Sequence, residues 1–306
     1  MLRPAIFVTL FVLSFSLKAQ QQAMFTQYMF NGLALNPAYA GSHESISATA
    51  LSRVQWVGIE GAPTTHTFSV HTPIPSKNIA IGGIFSKDNI GVSSQNSMFL
   101  SYAYWINLTN GSRLSFGLQG GLRSNNINYT DLGVNDPNLS SAEGGIKPNI
   151  GLGAYWYGAR YYLGLSAPTV FQNSFQPKSG SNADLEGFGL TDVSHIYLTG
   201  GMLFDLSPII KLKPSFLIKS VAGAPLELDL NANVIFDDKV WLGLSYRSFD
   251  AMSFLFDFQA TPQFRLGYAY DYTLSDLKVA TSGSHEIMLN YRFVFSNNKI
   301  VTPRYF

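Results

Sequence analysis

Cysteine is absent from the 306-residue sequence, and charged residues are scarce. Without a thiol the chain can form no disulfide framework, no thiolate metal site and no lipid-modified cysteine. Charged residues make up 13% of the sequence, whereas a typical soluble domain has about 25%. The 20 Lys and Arg nearly cancel the 19 Asp and Glu, so no strong positive field favours nucleic acid as a partner.

Long apolar runs are also lacking in most of the chain. After residue 19 no continuous run of about 18 apolar residues occurs, which argues against transmembrane helices. Residues 1–19 combine Arg3, a short apolar run at 6–17 and a small residue, Ala19, which is the pattern of a secretory signal. The alternative, a membrane-anchor helix, is disfavoured because the run is too short to span a bilayer. We therefore expect residues 1–19 to be a signal peptide.

Strict alternation of apolar and polar residues dominates the rest of the sequence. Period-2 alternation indicates β-strands, because successive side chains of a strand point to opposite faces. About fourteen such runs follow one another, with short turns and longer polar stretches between them. The predicted strands are 45–53, 65–72, 79–87, 98–108, 113–125, 149–157, 160–167, 196–206, 210–221, 227–236, 240–249, 253–260, 263–273 and 286–295.

This pattern predicts an all-β fold, a transmembrane antiparallel β-barrel of about 14 strands. The alternative is a soluble β-sandwich, but the polar positions carry Gly, Ser and Asn more often than the Lys and Glu of a solvated face. Long polar loops are expected at 125–148 and 167–194. We divide the chain into a signal peptide (1–19), an N-terminal segment (20–43) and an outer-membrane barrel (44–306). The N-terminal segment either remains in the periplasm or fills the lumen as a plug.

No constellation of residues predicts catalysis or metal binding. The run Ser284-His285-Glu286 suggests a hydrolase triad, but neighbours on a strand point to opposite faces, so these three cannot form one. The five histidines lack the spacing of a metal site. We expect no catalytic residue, no metal and no cofactor.

Charged residues recur at inward positions of the predicted strands. We expect a lumen network of Arg265, Asp271, Glu286 and Arg292, because mixed charges in a lumen can pair across strands. A water-filled pore would tolerate the same charges, so the pattern leaves both interiors open. The other charges of inward parity are Arg113, Arg123, Lys211, Lys213, Lys219, Arg247, Glu227, Asp229 and Asp257.

The segment 25–42 is dense in Asn, Pro, Gly and aromatics, which favour fixed turns over a repeating element, and alternation begins at about Ser45. Trp56 stands at a strand end, where it could be a residue of the interfacial aromatic belt. The alternative is an anchor between plug and wall, in which Arg53 and Glu60 hold the turn at residues 36–39.

The motifs FTQYMFN, NPAYAGS, RVQWVGIEGAPTTHT, GYAYDYT and GSHEIMLNYRF resemble the PorP/SprF family of Bacteroidota outer-membrane proteins, which is tied to type IX secretion and gliding motility. The resemblance covers nearly the whole mature chain. The motif residues that we single out as candidate site residues are Asn36, Pro37, Ala38, Tyr39, Gly41, Arg53, Gln55, Trp56, Gly61 and Pro63.

The resemblance implies a non-enzymatic outer-membrane component that assists export or surface retention of a secreted adhesin-like protein. Its implied partner is the C-terminal domain of that cargo, and contact with periplasmic type IX secretion or peptidoglycan-linked components stays open. A transporter of a small or apolar ligand with an N-terminal hatch is the alternative, because barrel architecture alone does not separate the two.

Overall fold

The computed structural model describes residues 23–127, 142–175 and 190–293. Within these ranges no helix is both long and apolar enough to cross a membrane. The elements that dominate are antiparallel strands. The longest are β4 to β6 on one side of the molecule, and the strands on the opposite side are shorter.

Seventeen strands occur in the described ranges. The first ten are β1 (Ile46–Val54), β2 (Thr64–Ile74), β3 (Ile79–Ile90), β4 (Ser93–Asn107), β5 (Arg113–Ile127), β6 (Ala142–Tyr157), β7 (Tyr161–Ala167), β8 (Ser174–Phe175), β9 (Leu190–Thr191) and β10 (His195–Met202). The others are β11 (Phe204–Asp205), β12 (Ile210–Val221), β13 (Glu227–Phe236), β14 (Val240–Arg247), β15 (Ala251–Gln259), β16 (Phe264–Thr273) and β17 (Ser284–Phe293).

The sheet closes on itself as a barrel. Consecutive strands pair as antiparallel neighbours, β10 pairs directly with β12, and β1 pairs with β17 from Ile46↔Phe293 to Val54↔His285. The short strands β8 and β9 form a separate hairpin, and β11 adds two residues beside β12. Fourteen strands therefore make the wall, which confirms the predicted transmembrane β-barrel and its strand number.

The alternation in sequence places apolar side chains on the outside of the wall. On β14, for example, Leu242, Leu244 and Tyr246 are exposed while Trp241 is buried in the lumen. Most outward positions of the other strands are likewise Leu, Ile, Phe, Met or Tyr. An outward apolar band with aromatic residues suits contact with lipid, and a closed barrel leaves no unpaired strand edge within it.

The two ends of the barrel differ. The N-terminal end, where β1 begins, has short connections such as 75–78, 237–239 and 260–263. The opposite end carries the longer connections 55–63 and 274–283, and it is also the end at which β5 is joined to β6 and β7 to β10. Outer-membrane barrels have short periplasmic turns and longer external loops. We therefore refer to the N-terminal end as the inner end and to the loop end as the outer end.

The wall is taller at β3–β6 than the sequence pattern indicates. The predicted spans 79–87, 98–108 and 149–157 are observed as Ile79–Ile90, Ser93–Asn107 and Ala142–Tyr157. Ile90 and Ile146 are the only large apolar residues among those added, so the extensions lack the regular alternation that marks lipid contact. The predicted loop at 125–148 is therefore shorter than expected, and its residues 128–141 lie outside the described ranges.

Residues 23–43 lie inside the barrel. They contain two 3-10 helices, Tyr28–Phe30 and Pro37–Tyr39, around one turn of α-helix, Gly32–Leu35 (α1). Nearly all of their side chains are buried, and they form the core of the molecule together with inward residues of the wall. We call this segment the plug. Two further 3-10 helices, Pro75–Lys77 and Asp276–Val279, lie in connections between strands.

The assignment of side chains to the outer or the inner face of the wall leads to a first prediction. Leu289 lies midway along β17 on the outer face and is 41% exposed. Leu289→Arg should destabilise the barrel in lipid by about 2–4 kcal/mol, the cost of a cation at the bilayer midplane. The measurement is urea titration of folding into vesicles, followed by heat-modifiable mobility.

The matched control is Val279→Arg. Val279 is 87% exposed in the outer loop before β17, beyond the strands, so its change should stay within about 0.5 kcal/mol of the parent. Equal costs for the two variants would contradict the assigned membrane band.

Candidate functional site

The plug crosses the lumen from the outer half to the inner end. Near its start, Thr26 contacts the outer ends of β16 and β17. Further along, Asn31 bonds to Thr67 and Ser69 on β2. Gly41 reaches the inner end, where β1 begins. The plug therefore contacts widely separated parts of the wall. The contact surface between the plug and the inner face of the wall is the candidate functional site.

A buried cluster of charges holds the start of the plug. Arg53 on β1 lies 2.7 Å from Asp271 on β16 and 3.1 Å from Glu286 on β17, and all three side chains are at most 2% exposed. Arg53 also donates a hydrogen bond of 2.9 Å to the Thr26 hydroxyl. We call Arg53, Asp271, Glu286 and Thr26 the Arg53 cluster.

Backbone groups of the plug complete this cluster. The N–H groups of Thr26 and Gln27 donate to the two carboxylate oxygens of Glu286, at 2.9 and 2.7 Å. The Thr26 hydroxyl lies 2.8 Å from both oxygens of Asp271. Buried carboxylates are stable only when charges and hydrogen bonds offset their desolvation. The plug supplies part of that compensation, so wall and plug stabilise each other.

A second group of charges continues around the outer half of the lumen. Arg247 lies 3.2 Å from Asp229 and from Asp250, and 3.8 Å from Asp271. Its guanidinium is 2% exposed. Asp271 therefore links the Arg53 cluster to the Arg247 group, and the inward charges of β13, β14, β16, β17 and β1 form one connected layer.

The turn at residues 36–39 is fixed by hydrogen bonds, and it packs closely against two glycines of the wall. The side-chain Oδ1 of Asn36 accepts from the Ala38 N–H at 2.9 Å, and its Nδ2 donates to the Ala154 carbonyl at 3.0 Å. A Cβ added to Gly117 would lie 2.2 Å from the Ala38 nitrogen, and one added to Gly153 would lie 2.1 Å from Asn36 Oδ1. The wall accommodates this turn because two strand positions carry no side chain.

Aromatic rings surround Tyr39 at the end of the turn. Its ring centroid lies 5.5 Å from those of His71 and Tyr155, and its hydroxyl lies 3.0 Å from His43 Nε2. The Gly41 N–H donates to His71 Nδ1 at 3.1 Å. Gly41 has a φ of +78°, and a Cβ there would meet Ala80 at 2.5 Å, so this position requires glycine.

Arg265 belongs to a different part of the lumen from the Arg53 cluster. Its guanidinium lies over the rings of Phe30 and Trp241, 4.9 and 4.5 Å from their centroids, and its Nε donates to Gln259. Arg292 pairs in register with Ser47, toward the inner end of β17. The four residues predicted as one lumen network therefore divide: Asp271 and Glu286 lie together, while Arg265 and Arg292 lie closer to the inner end.

The motif residues after β1 form a layer of outer loops. The Gln55 N–H donates to the Pro63 carbonyl, and the Trp56 N–H donates to the Ser284 hydroxyl. The Gly91 N–H donates to the Gly61 carbonyl and joins the neighbouring loop. These bonds connect three outer loops directly above the Arg53 cluster.

The alternative in which Arg53 and Glu60 hold the turn at 36–39 is wrong. Glu60 is exposed in the outer loop, while Arg53 points into the lumen because its β1 position has inward parity. Arg53 bonds to Thr26 and not to the turn at 36–39, which is held by β5 and β6 instead. Thr26 and Gln27 lie in the motif FTQYMFN, but no local pattern assigns their partners, which are 245 to 260 residues away.

The plug leaves small cavities at its sides. Two of them measure about 90 and 20 Å³, and a buried water needs about 10–15 Å³ on such a measure. These volumes hold a few waters and cannot pass a polypeptide.

Residues with catalytic potential do not converge. Ser284 and Glu286 face the lumen, while His285 is half-exposed on the outer face, where its Nδ1 lies 2.7 Å from the Tyr268 hydroxyl. In the described ranges no group of three or more His, Asp or Glu could hold a metal ion.

Comparison with known families gives one match. The family model for "Type IX secretion system membrane protein PorP/SprF" matches residues 17–291. No curated protein matches the chain significantly.

Solved barrels resemble the chain only in fold. The Omp33 outer-membrane protein of Acinetobacter baumannii is 8% identical, with 82% of this chain and 98% of that chain covered and a TM-score of 0.47. The CymD monoaromatic hydrocarbon channel is 13% identical, with 89% and 94% covered and a TM-score of 0.46. The translocator domain of NalP from Neisseria meningitidis is 14% identical, with 81% and 88% covered and a TM-score of 0.39.

The Arg53 cluster generates a second prediction. Glu286→Gln should destabilise the folded protein by about 3–5 kcal/mol, because it leaves a buried guanidinium short of one charge partner. The control is Asp205→Asn, which removes the partner of Arg160 in an exposed pair and should cost less than about 1 kcal/mol. Denaturant titration in detergent measures both, and similar losses would contradict the cluster's importance.

The plug generates a third prediction. Gly117→Ala should displace the turn at 36–39, because its Cβ would overlap the plug backbone. Ion conductance in planar bilayers should then rise toward that of a variant lacking residues 23–42. Gly120→Ala on the same strand is the control, since a Cβ there meets nothing within 4 Å. Conductance that is unchanged in the truncated variant would show that the plug does not seal the lumen.

Proposed function

The chain belongs to the PorP/SprF family of type IX secretion system membrane proteins, and from this premise we propose that it assists export or surface retention of one cognate secreted protein. It is an outer-membrane β-barrel of that system. The proposed partner is an adhesin-like cargo, recognised through its C-terminal domain. The proposal also includes contact with periplasmic components of the same system and assigns the protein no enzymatic activity.

The filled lumen is the observation that best supports this proposal. Residues 23–43 occupy the interior, and the Arg53 cluster, the Asn36 turn and the Tyr39 rings hold them there. A lumen occupied by the plug supports a role in secretion that is exercised through the surfaces of the barrel. The same burial supports the division of the chain into a plug, 20–43, and a barrel, 44–306.

The outer end offers the larger area for a protein partner. The wall of β3–β6 extends beyond the apolar band there, and the connection between β7 and β10 begins at Pro168 with a hydrogen bond to the inner face of β5. Its base is anchored, because Gln119 donates to the Pro168 carbonyl and Asn149 Oδ1 accepts from the Val170 and Phe171 N–H groups. Loops on a rigid scaffold are where binding residues concentrate.

The test is surface labelling of candidate cargo in living cells. Deletion of the gene should abolish display of one or a few secreted proteins while general export continues. Normal display in the deletion strain, combined with poor growth on a small apolar nutrient, would overturn the secretion role in favour of the transporter alternative.

A loop variant separates docking from assembly. Phe175 and Leu190 are register partners in the β8–β9 hairpin, so residues 176–189 can be replaced by Asn-Gly, which favours a two-residue turn. This variant should assemble normally but retain less cargo. The control replaces Asp237 and Asp238, at an inner-end turn, by the same dipeptide, and it should leave display unchanged.

A further inference from the structure

The larger cavity lies in the outer half of the lumen, between the plug and the inner faces of β2–β5. Phe25, Ile84 and Phe99 give it an apolar wall, while Gln95, Arg123 and Thr169 give it a polar side. Gln95 and its neighbours on β4 are half-buried, so the cavity adjoins the outer mouth. Its volume is about 90 Å³.

Arg123 is the unusual residue of this cavity. Its side chain is 8% exposed, and its Nε and Nη1 atoms have no hydrogen-bond partner among the described residues. Nη1 lies 3.2 Å from Asp192 Oδ2, but the two atoms are not aligned for a hydrogen bond. Asp192 Oδ1 instead accepts from Gln95 at 3.3 Å. Two buried donors of the guanidinium beside the cavity therefore lack a hydrogen-bond partner within the described ranges.

Two cations and two acids lie around this position, and one of the acids, Asp88, also lines the cavity. Arg123 pairs in register with Lys147 across β5 and β6, and like charges placed directly opposite are destabilising. Asp192 supplies one carboxylate, and burial raises its pKa while Arg123 opposes that rise. Asp88, the other nearby acid, accepts a hydrogen bond from Thr65.

We propose that Arg123 and the surrounding cavity bind a carboxylate carried on an apolar group. A guanidinium presents two parallel N–H donors that match a carboxylate, and Asp192 shows that a carboxylate fits beside it. Whole drug-sized ligands occupy pockets of about 300–1,000 Å³, so this smaller cavity takes the end of a molecule. The carboxyl terminus of a peptide and a free short-chain acid share this chemistry.

The peptide source rests on the proposed function, whereas carboxylate binding itself does not. The test is calorimetric titration of the purified full chain in detergent with N-acetylleucine and with N-acetylleucinamide. The acid should bind at least tenfold more tightly than the amide, because only the acid carries the charge. Equal binding, or binding of neither compound, would overturn the proposal.

Matched variants locate the site. Arg123→Gln should weaken binding of N-acetylleucine at least tenfold, and Arg113→Gln, which alters the inner end of the same strand where Arg113 pairs with Glu44, should not. Asp192→Asn should tighten binding several-fold, because it removes the internal carboxylate that competes for Arg123. Weaker binding by Asp192→Asn would contradict the assigned competition.

Two further measurements test the paired donors of Arg123 and the source of the carboxylate. Arg123→Lys keeps the charge but loses the paired donors, so intermediate binding is expected even where Arg123→Gln fails to fold. Acetyl-Ala-Ala-Leu with a free carboxylate is compared with hexanoate: tighter peptide binding supports the peptide terminus, and tighter hexanoate binding supports the free acid. Both binding measurements use purified protein. Normal display of cargo in the deletion strain would therefore refute the proposed function and leave the carboxylate-binding result unchanged.

Discussion

Burial of Arg53 beside Asp271 and Glu286 is the interaction on which the rest of the structure depends. The three residues come from the strands that close the barrel, β1, β16 and β17, and the plug contacts all three of them. A buried ion pair recovers its desolvation cost only with good geometry and added hydrogen bonds. Because Thr26 and Gln27 supply those bonds, barrel closure and plug docking stabilise the same charges.

The remaining contacts of the plug follow from that position. Once its start is fixed at the outer half and its end is joined to β1 at the inner end, the segment has to cross a lumen lined by side chains. The wall yields space at Gly117 and Gly153 and supplies rings around Tyr39 and Phe30. The inner face of this barrel is therefore shaped as a protein core around the plug, and an aqueous channel would need none of these close fits.

The sequence predicted the strands well because alternation is a local signal. Lipid contact demands apolar residues at every second position, so β13, β16 and β17 are found within two or three residues of their predicted bounds. The upper part of β6 was missed because it lies beyond the apolar band, where Gly, Lys and Pro satisfy no alternation. The contacts of the site were harder to predict than the strands. Arg53 stands out through its motif, but its position along a strand indicates only which face its side chain lies on and cannot assign its partner. Thr26 and Glu286 meet only through closure of the whole barrel.

The filled lumen also bears on how a family member of this kind can work. Opening the interior would remove the hydrogen bonds that the plug donates to Glu286 and Asp271, so the energetic cost of a conducting state is concentrated in one buried layer of charge. Local contacts at the outer mouth carry no such cost, because the loop bearing Asp192 meets Arg123 through a loosely aligned pair. The part of the lumen that can exchange partners is thus the shallow cavity at the outer end, which faces the side of the membrane where secreted proteins are retained.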